Sequence, residues 1–225
     1  MTDDLQQQRQ QQHQHQDPEP GENRSAVTRC PGRVGLLPDC RYMQTGLESL
    51  AQARGLSVEL LTRTPADLAG PPVPVSRVIC HLSGDLAGRL AQVARLGEYL
   101  QTRGDSLPVT LLTREPMPWL YGTLLHLTGR TQSLQAVWTL DARSPLADIV
   151  DLLWGTTPTT AHRLKGRESY TLASGLTRRE LTVVRAVLAG ERIQDMAQRT
   201  GLSVSALYAQ RHHGLRKLGA GTGIR

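Results

Sequence analysis

Residues 176–219 read LTRRELTVVRAVLAGERIQDMAQRTGLSVSALYAQRHHGLRKLG, and this stretch decides the fold of the C-terminal part of the chain. Thr177 and Glu180 have the T-x-x-E spacing of a capping box, in which each side chain satisfies a backbone N–H of the other residue, so a helix begins here. Gly190 is placed to end this helix. Its apolar face is predicted to consist of Leu181, Val184, Val187 and Leu188.

Two more helices follow, and their arrangement indicates a helix-turn-helix motif. A short helix over residues 193–200 leads into a turn at Gly201, and Ser203 caps a third helix from Val204 to about Leu218. Such a helix can enter the major groove of DNA, with early residues on base edges and cations on phosphates. It could equally be the solvated face of a helical bundle, since a fold alone does not give function. The inward residues are predicted to be Val204, Leu207, Leu215 and Leu218, and the exposed ones Ser205, Tyr208, Ala209, Arg211, His212 and Arg216.

These residues resemble the LuxR-type DNA-binding domain of the LuxR/FixJ/NarL regulators over about 44 residues without a gap. Within that family, Ala209-Gln210-Arg211 is similar to the capsule-regulator (Rcs) branch, since most other branches have His at position 210. The resemblance rests on Leu176-Thr-x-x-Glu180, Val183-Val184, Gly190, Ile193, Met196-Ala197, Leu202-Ser203-Val204 and Arg216-Lys217-Leu218-Gly219.

The resemblance implies binding to double-stranded DNA at a promoter or operator. Many relatives have Lys at the positions of Tyr208 and His212, so this chain is expected to prefer different bases. The family's fourth helix, which often forms a dimer contact, has no counterpart in the Gly-rich residues 219–225, and this disfavours homodimerisation through that element. The implied DNA-binding residues are Arg178, Arg179, Ser203, Ser205, Tyr208, Ala209, Arg211, His212, Arg216 and Lys217.

Residues 33–155 alternate short apolar runs with amphipathic stretches. This alternation predicts a doubly wound, five-stranded parallel sheet of the flavodoxin-like, receiver-like class. Strands are predicted over Arg33–Leu37, Ser57–Leu61, Arg77–Leu82, Pro108–Leu112 and Gln135–Leu140. Helices are predicted over Met43–Arg54, Leu86–Leu100, Trp119–Leu127 and Pro145–Trp154.

This part of the chain resembles a receiver domain that lacks its phosphorylation chemistry. In receivers an acidic pair after the first strand holds Mg²⁺, an Asp after the third strand accepts the phosphoryl group, and a Lys after the fifth contacts it. Here Pro38 replaces the first acid and leaves Asp39, while His81 stands at the acceptor position and Leu140 at the Lys position. Thr113 matches the usual switch residue. The resemblance therefore implies a degenerate receiver that a sensor kinase does not phosphorylate.

Other chemistry at this position is less well supported. His81 and Cys80 could bind a metal, but a lone Cys-His pair at a strand end is more often buried structure. Asp85 could accept a phosphoryl group instead, but it would do so without a metal-binding acidic pair. No nucleophile–base pair is recognisable. We therefore expect no catalytic residues, no metal and no cofactor.

Composition and charge divide the chain into parts with different partners. Residues 158–225 carry twelve Lys and Arg against four Asp and Glu, a net charge of +8 in a chain whose total is +6. A basic part of this kind indicates a polyanionic partner such as nucleic acid. The predicted organisation is a disordered Gln-rich tail (1–30), a receiver-like domain (31–155), a polar linker (156–172), the helix-turn-helix domain (173–219) and a C-terminal tail (220–225).

The sequence also excludes several classes of protein. No stretch approaches the ~18 apolar residues of a transmembrane helix, and the N-terminus has no apolar segment typical of a secretory signal. Three widely spaced cysteines give no disulfide framework. We expect a cytoplasmic, nucleoid-associated protein with no membrane contact.

The leading hypothesis is a sequence-specific transcription regulator that acts independently of phosphorylation, as a homodimer or as a heterodimer with an Rcs-type response regulator. The alternative is an adaptor that binds a response regulator without reading DNA. In domains of this kind the fourth and fifth units commonly form a dimer face, although their aromatic residues could equally be core. Those residues are Trp119, Tyr121, Trp138 and Trp154.

Overall fold

Six strands form one sheet in the computed structural model, which describes residues 32–61, 75–103, 107–165 and 175–219. The two predicted tails and residues 166–172 of the predicted linker lie outside the described residues. The strands are β1 (Val34–Leu37), β2 (Val58–Leu60), β3 (Arg77–Leu82), β4 (Val109–Thr113), β5 (Val137–Asp141) and β6 (His162–Arg163).

The sheet has the strand order β2-β1-β3-β4-β5-β6, and the first five strands are parallel. The order 2-1-3-4-5 is that of flavodoxin-like doubly wound sheets, so the predicted fold class is confirmed. In such sheets the carboxyl ends of the strands meet at one edge, and loops from different strands can build a common site there. The helices between these strands are α1 (Arg41–Gln52), α2 (Leu86–Arg103), α3 (Leu120–Thr128) and α4 (Leu146–Trp154).

The expected five-stranded parallel sheet is corrected by β6, which pairs antiparallel with β5. This strand falls in the segment predicted as a linker. The Thr139 hydroxyl donates to the carbonyl of His162 at 3.1 Å, and the N–H of Leu164 donates to the carbonyl of Val137 at 2.9 Å. Without this pairing the edge of β5 would expose unpaired backbone groups. Two polar, exposed residues carry no hydrophobic alternation, which is why sequence patterning did not reveal the strand.

Two apolar layers hold the helices on opposite faces of the sheet. Neighbouring residues of β3 point to opposite sides, so Cys80 belongs to one layer and Ile79 to the other. The first layer packs α2 and α3, mainly through Leu90, Leu96, Leu100, Leu124 and Leu127. The second packs α1 and α4, mainly through Leu47, Ala51, Leu152 and Leu153.

The C-terminal residues form three helices, α5 (Arg178–Leu188), α6 (Ile193–Thr200) and α7 (Val204–Lys217), as the motif predicted. The capping box is present, because the N–H of Thr177 donates to Glu180 Oε2 at 2.7 Å and the N–H of Glu180 donates to Thr177 Oγ1 at 3.3 Å. Gly201 ends α6 with φ +70°, a left-handed conformation that favours glycine.

The helical part packs directly on the first apolar layer. Leu176, Leu181 and Val184 are buried in the same cluster as the α2 and α3 side chains. The N–H of Leu176 donates to the buried hydroxyl of Thr123 in α3 at 2.9 Å. The contact therefore uses α5 and the residues just before it. No helix of the described residues is long and apolar enough to cross a membrane.

Candidate nucleic-acid interface and the modified edge of the sheet

Helix α7 is held by its inner face. Ser203 Oγ accepts a hydrogen bond from the N–H of Ala206 at 3.2 Å, which starts the helix as predicted. Leu207 is fully buried. Burial of a leucine side chain contributes about 1.5–3 kcal/mol to stability relative to leaving it exposed. At Gly214 a Cβ would lie 2.6 Å from Val184 Cγ2, so the two helix backbones approach closely there. These contacts fix which residues of α7 face away from the protein.

The outer face of α7 is open to solvent. Tyr208 is 45 % exposed. Val204, which was predicted to point inward, is 38 % exposed because it lies in the first turn, beyond the reach of the α5 contact. Arg211 is half-buried and makes its own contact within the chain. The other exposed residues of the predicted DNA-binding set on this side are Ser203, Ser205, Ala209, His212 and Arg216.

Besides Arg211, two more of the predicted phosphate-binding cations are engaged within the chain. Lys217 Nζ donates to both carboxylate oxygens of Glu180, at 3.0 and 2.7 Å, and to the carbonyl of Gly175 at 3.0 Å. Arg178 Nη2 donates to the carbonyl of Leu127 in α3 at 3.0 Å. Sequence position alone did not reveal these roles, since each partner is far away along the chain. Arg179 is exposed at the start of α5.

The Glu180–Lys217 pair is largely removed from water, with side chains 10 % and 16 % exposed. Burial tends to raise the pKa of Glu180, but the hydrogen bonds from Lys217 and Thr177 outweigh it, so the pKa lies below its ordinary value. The pair joins the start of α5 to the end of α7.

At the carboxyl edge of the sheet, Asp39 is bound by two partners. The Nδ1–H of His81 donates a short hydrogen bond to Asp39 Oδ1. Ser83 donates to Oδ2 through its backbone N–H at 2.8 Å and through its hydroxyl. Burial tends to raise the pKa of Asp39, but these hydrogen bonds and the nearby His81 lower it overall. Ser83 was not identified from the sequence, because it lies two residues past the acceptor position.

The remaining positions of the degenerate site have ordinary structural roles. The carbonyl of Pro38 accepts from Gln92 Nε2 at 2.6 Å. The Thr113 hydroxyl donates to the carbonyl of Glu115 at 2.9 Å, within its own loop. Leu140 is 1 % exposed in the second apolar layer. The structure therefore places no cation at the position of Leu140.

The residues considered as alternatives also have clear places. Cys80 points into the first apolar layer, so it does not lie on the side of His81. Cys40 comes close instead, just before α1. Asp85 precedes α2, and its Oδ1 accepts from the N–H of Gly88 at 2.7 Å, as a helix cap does.

The four aromatic residues of the predicted dimer half divide between core and surface. Trp119 is buried. The guanidinium of Arg163 lies 5.3 Å from the ring centre of Trp138. Trp154 is 43 % exposed at the end of α4, and Leu146, two turns earlier on the same helix face, is 61 % exposed. Tyr121 is partly buried beside the first apolar layer.

No protein-family model matches the chain, and no curated protein matches it. Among solved structures, RcsB from Salmonella enterica serovar Typhimurium bound to promoter rprA is 17 % identical, with a TM-score of 0.45 over 86 % of this chain and 94 % of that chain. The same protein bound to promoter P1flhDC is 18 % identical, with a TM-score of 0.47 over 86 % and 95 %. FixJ from B. japonicum is 17 % identical, with a TM-score of 0.34 over 85 % and 91 %.

Proposed function

We propose that this chain is a sequence-specific DNA-binding transcription regulator. The observation that carries the proposal is the outer face of α7, which is open to solvent while the inner face is seated on α5. A helix presented in this way fits the major groove, and Tyr208 and His212 lie one turn apart on it to meet base edges. The contact between the helical part and the α/β layer leaves this face uncovered.

The charge of the C-terminal part supports the proposal. Arg179 and Arg216 are exposed and would contact phosphates, whereas Arg178 and Lys217 already have partners within the chain. With these two exposed arginines as phosphate contacts, the logarithm of affinity should fall with the logarithm of salt concentration with a slope of about −2 per bound chain.

The proposed regulator acts without phosphorylation. His81 at the acceptor position is hydrogen-bonded to Asp39, the only carboxylate of the former acidic pair, and Leu140 supplies no cation for a phosphoryl group. A phosphoryl group transferred here would therefore lack the charge neutralisation that the reaction needs. Incubation with acetyl phosphate should leave the mass of the intact chain unchanged. Stoichiometric phosphorylation of an Asp would contradict this part of the proposal.

The regulator is further proposed to work as a dimer, with a second copy or with a response regulator. An exposed apolar stripe on α4 supports this, since Leu146 and Trp154 flank the partly buried Val150 along one face. The test compares the sedimentation of the wild type and of Trp154→Ser, each alone and each mixed with a candidate response regulator. If association is unchanged, α4 is not part of the interface.

The decisive experiment is selection of bound duplexes from a random DNA pool by the purified full chain, followed by fluorescence anisotropy on the enriched sequence. Tyr208→Ala should reduce sequence preference, and Arg216→Ala should weaken binding and lower the salt slope by about 1. Arg33→Ala is the control, because it removes a half-exposed cation from the α/β part of the chain and leaves α7 unchanged. Arg33 pairs there with Glu59 at 3.6 Å.

If no sequence is enriched and the chain is retained only by a protein partner, the adaptor hypothesis replaces this one.

A further inference from the structure

Three residues with metal-binding side chains meet at the carboxyl edge of the sheet. Asp39 follows β1, Cys40 immediately precedes α1, and His81 is near the end of β3. One potential ligand atom from each lies within 4.8 Å of the other two. The chain separation of about 40 residues between His81 and the other two means that the parallel pairing of β1 with β3 creates this cluster.

The cluster is held in place by groups around it. Asp39 and His81 have side chains only 8 % and 5 % exposed. The N–H and the hydroxyl of Ser83 both bind Oδ2 of Asp39, which fixes the carboxylate and directs Oδ1 toward the imidazole. Outer-shell hydrogen bonds of this kind orient the ligands of metal sites.

The imidazole of His81 has one nitrogen that the protein does not satisfy. Within the described residues, its Nε2 is buried and has no hydrogen-bond partner. The other nitrogen, Nδ1, lies beside Asp39 Oδ1, so it is the imidazole nitrogen that can share an ion with this carboxylate. Cys40 is exposed, so an ion from solvent can reach the cluster.

We propose that Asp39, Cys40 and His81 form a binding site for Zn²⁺, in which the ion replaces the proton between His81 Nδ1 and Asp39 Oδ1 and water completes four-coordination. A thiolate, an imidazole nitrogen and one carboxylate oxygen suit a borderline-soft cation such as zinc. Mg²⁺ and Ca²⁺ require oxygen ligands, and the cluster offers only one carboxylate. The sequence suggested Cys80 as the thiol beside His81, but Cys80 points to the other face of β3. The thiol that lies near His81 belongs to Cys40, which is about 40 residues away along the chain.

The proposal is tested by titrating the full chain with Zn²⁺ in competition with a colorimetric chelator, and with Co²⁺ as a spectroscopic probe. We expect one equivalent bound, with a cobalt–thiolate charge-transfer band in the near ultraviolet. Cys40→Ser should abolish the band, and His81→Gln should abolish tight binding. Ser83→Ala should weaken affinity about 10- to 100-fold through the outer shell.

Cys80→Ser is the matched control, because this thiol is buried in the opposite layer and should leave the cobalt spectrum unchanged. A variant with His13, His15 and Cys30 replaced by Gln, Gln and Ser tests the N-terminal residues as a different source of ligands. Far-UV circular dichroism verifies that each variant is folded. Failure to bind Zn²⁺, or binding unaffected by Cys40→Ser and His81→Gln, overturns the proposal. Since no DNA is present, either result is independent of the proposed DNA-binding function.

Discussion

The substitution Lys217→Met tests whether this residue serves stability or DNA binding. Methionine keeps most of the apolar stem but removes the ammonium group that binds Glu180 and the carbonyl of Gly175. Among the described residues, the Glu180 carboxylate would then retain the N–H of Thr177 as its one hydrogen-bond partner in a mostly buried setting.

The expected loss is large for a single substitution near the surface of a helix. Hydrogen bonds to charged groups contribute about 1.5–3 kcal/mol each, and removing one member of a buried pair costs about 3–5 kcal/mol. Because the two side chains are 10 % and 16 % exposed, we expect a loss near the lower end, about 3 kcal/mol. Adding Glu180→Gln should recover part of this loss, since Gln keeps the capping box and removes the unpaired charge.

The assay is urea denaturation followed by far-UV circular dichroism, together with DNA affinity as a function of salt. Arg216→Met is the matched control, because the neighbouring residue is exposed; it should change the free energy of unfolding by less than about 0.5 kcal/mol but weaken DNA binding. If Lys217→Met leaves stability unchanged and instead lowers the salt slope by about 1, Lys217 contacts phosphate and our reasoning is refuted.

The same pair predicts how stability depends on pH. The pKa of Glu180 in the folded chain is below its unfolded value of about 4.3. Its ionised form therefore contributes stability above that value, and the contribution is lost as the pH falls through the folded pKa. The stability difference between the wild type and Glu180→Gln should shrink on acidification below about pH 4. A difference that stays constant to pH 2 would contradict the assignment.

Three further substitutions test the packing by the same denaturation assay. Gly46→Ala in α1, where a new Cβ meets nothing within 4 Å, should raise the free energy of unfolding by about 1 kcal/mol, and a decrease would contradict the open setting of this helix face. Gly97→Ala in α2 would place a Cβ 2.5 Å from Leu127 Cδ1 and 2.8 Å from Leu127 Cβ. Because this overpacking outweighs the gain in helix propensity, we expect the free energy of unfolding to fall by about 1 kcal/mol. An increase would show that α2 and α3 can separate easily. Thr123→Val should cost about 1–3 kcal/mol, because it leaves the buried N–H of Leu176 without its acceptor; no loss would mean that this N–H finds water.

The helix-turn-helix could be predicted almost completely because its determinants are local. Thr177 and Glu180 are one helical turn apart, and Gly201 needs only its own backbone conformation to end a helix. The five parallel strands were also predictable, since buried strands appear as continuous apolar runs. β6 was not, because two polar residues have no pattern of their own and pair only when β5 offers its edge.

The sites depended more strongly on distant parts of the chain. From its position in the motif, Lys217 is a cation at the end of the third helix, and only the packing of α7 on α5 brings it to Glu180. In the same way, the zinc site that we propose at Asp39, Cys40 and His81 requires the register of β1 against β3.

The sequence by itself determined which helices and parallel strands form and which end of the chain is basic, because periodicity, capping and charge are properties of neighbouring residues. Only the tertiary structure decided which cations face solvent and which are paired, and which side chains converge at the edge of the sheet. Such pairings join residues about 40 positions apart, and no local preference encodes the distance between their atoms.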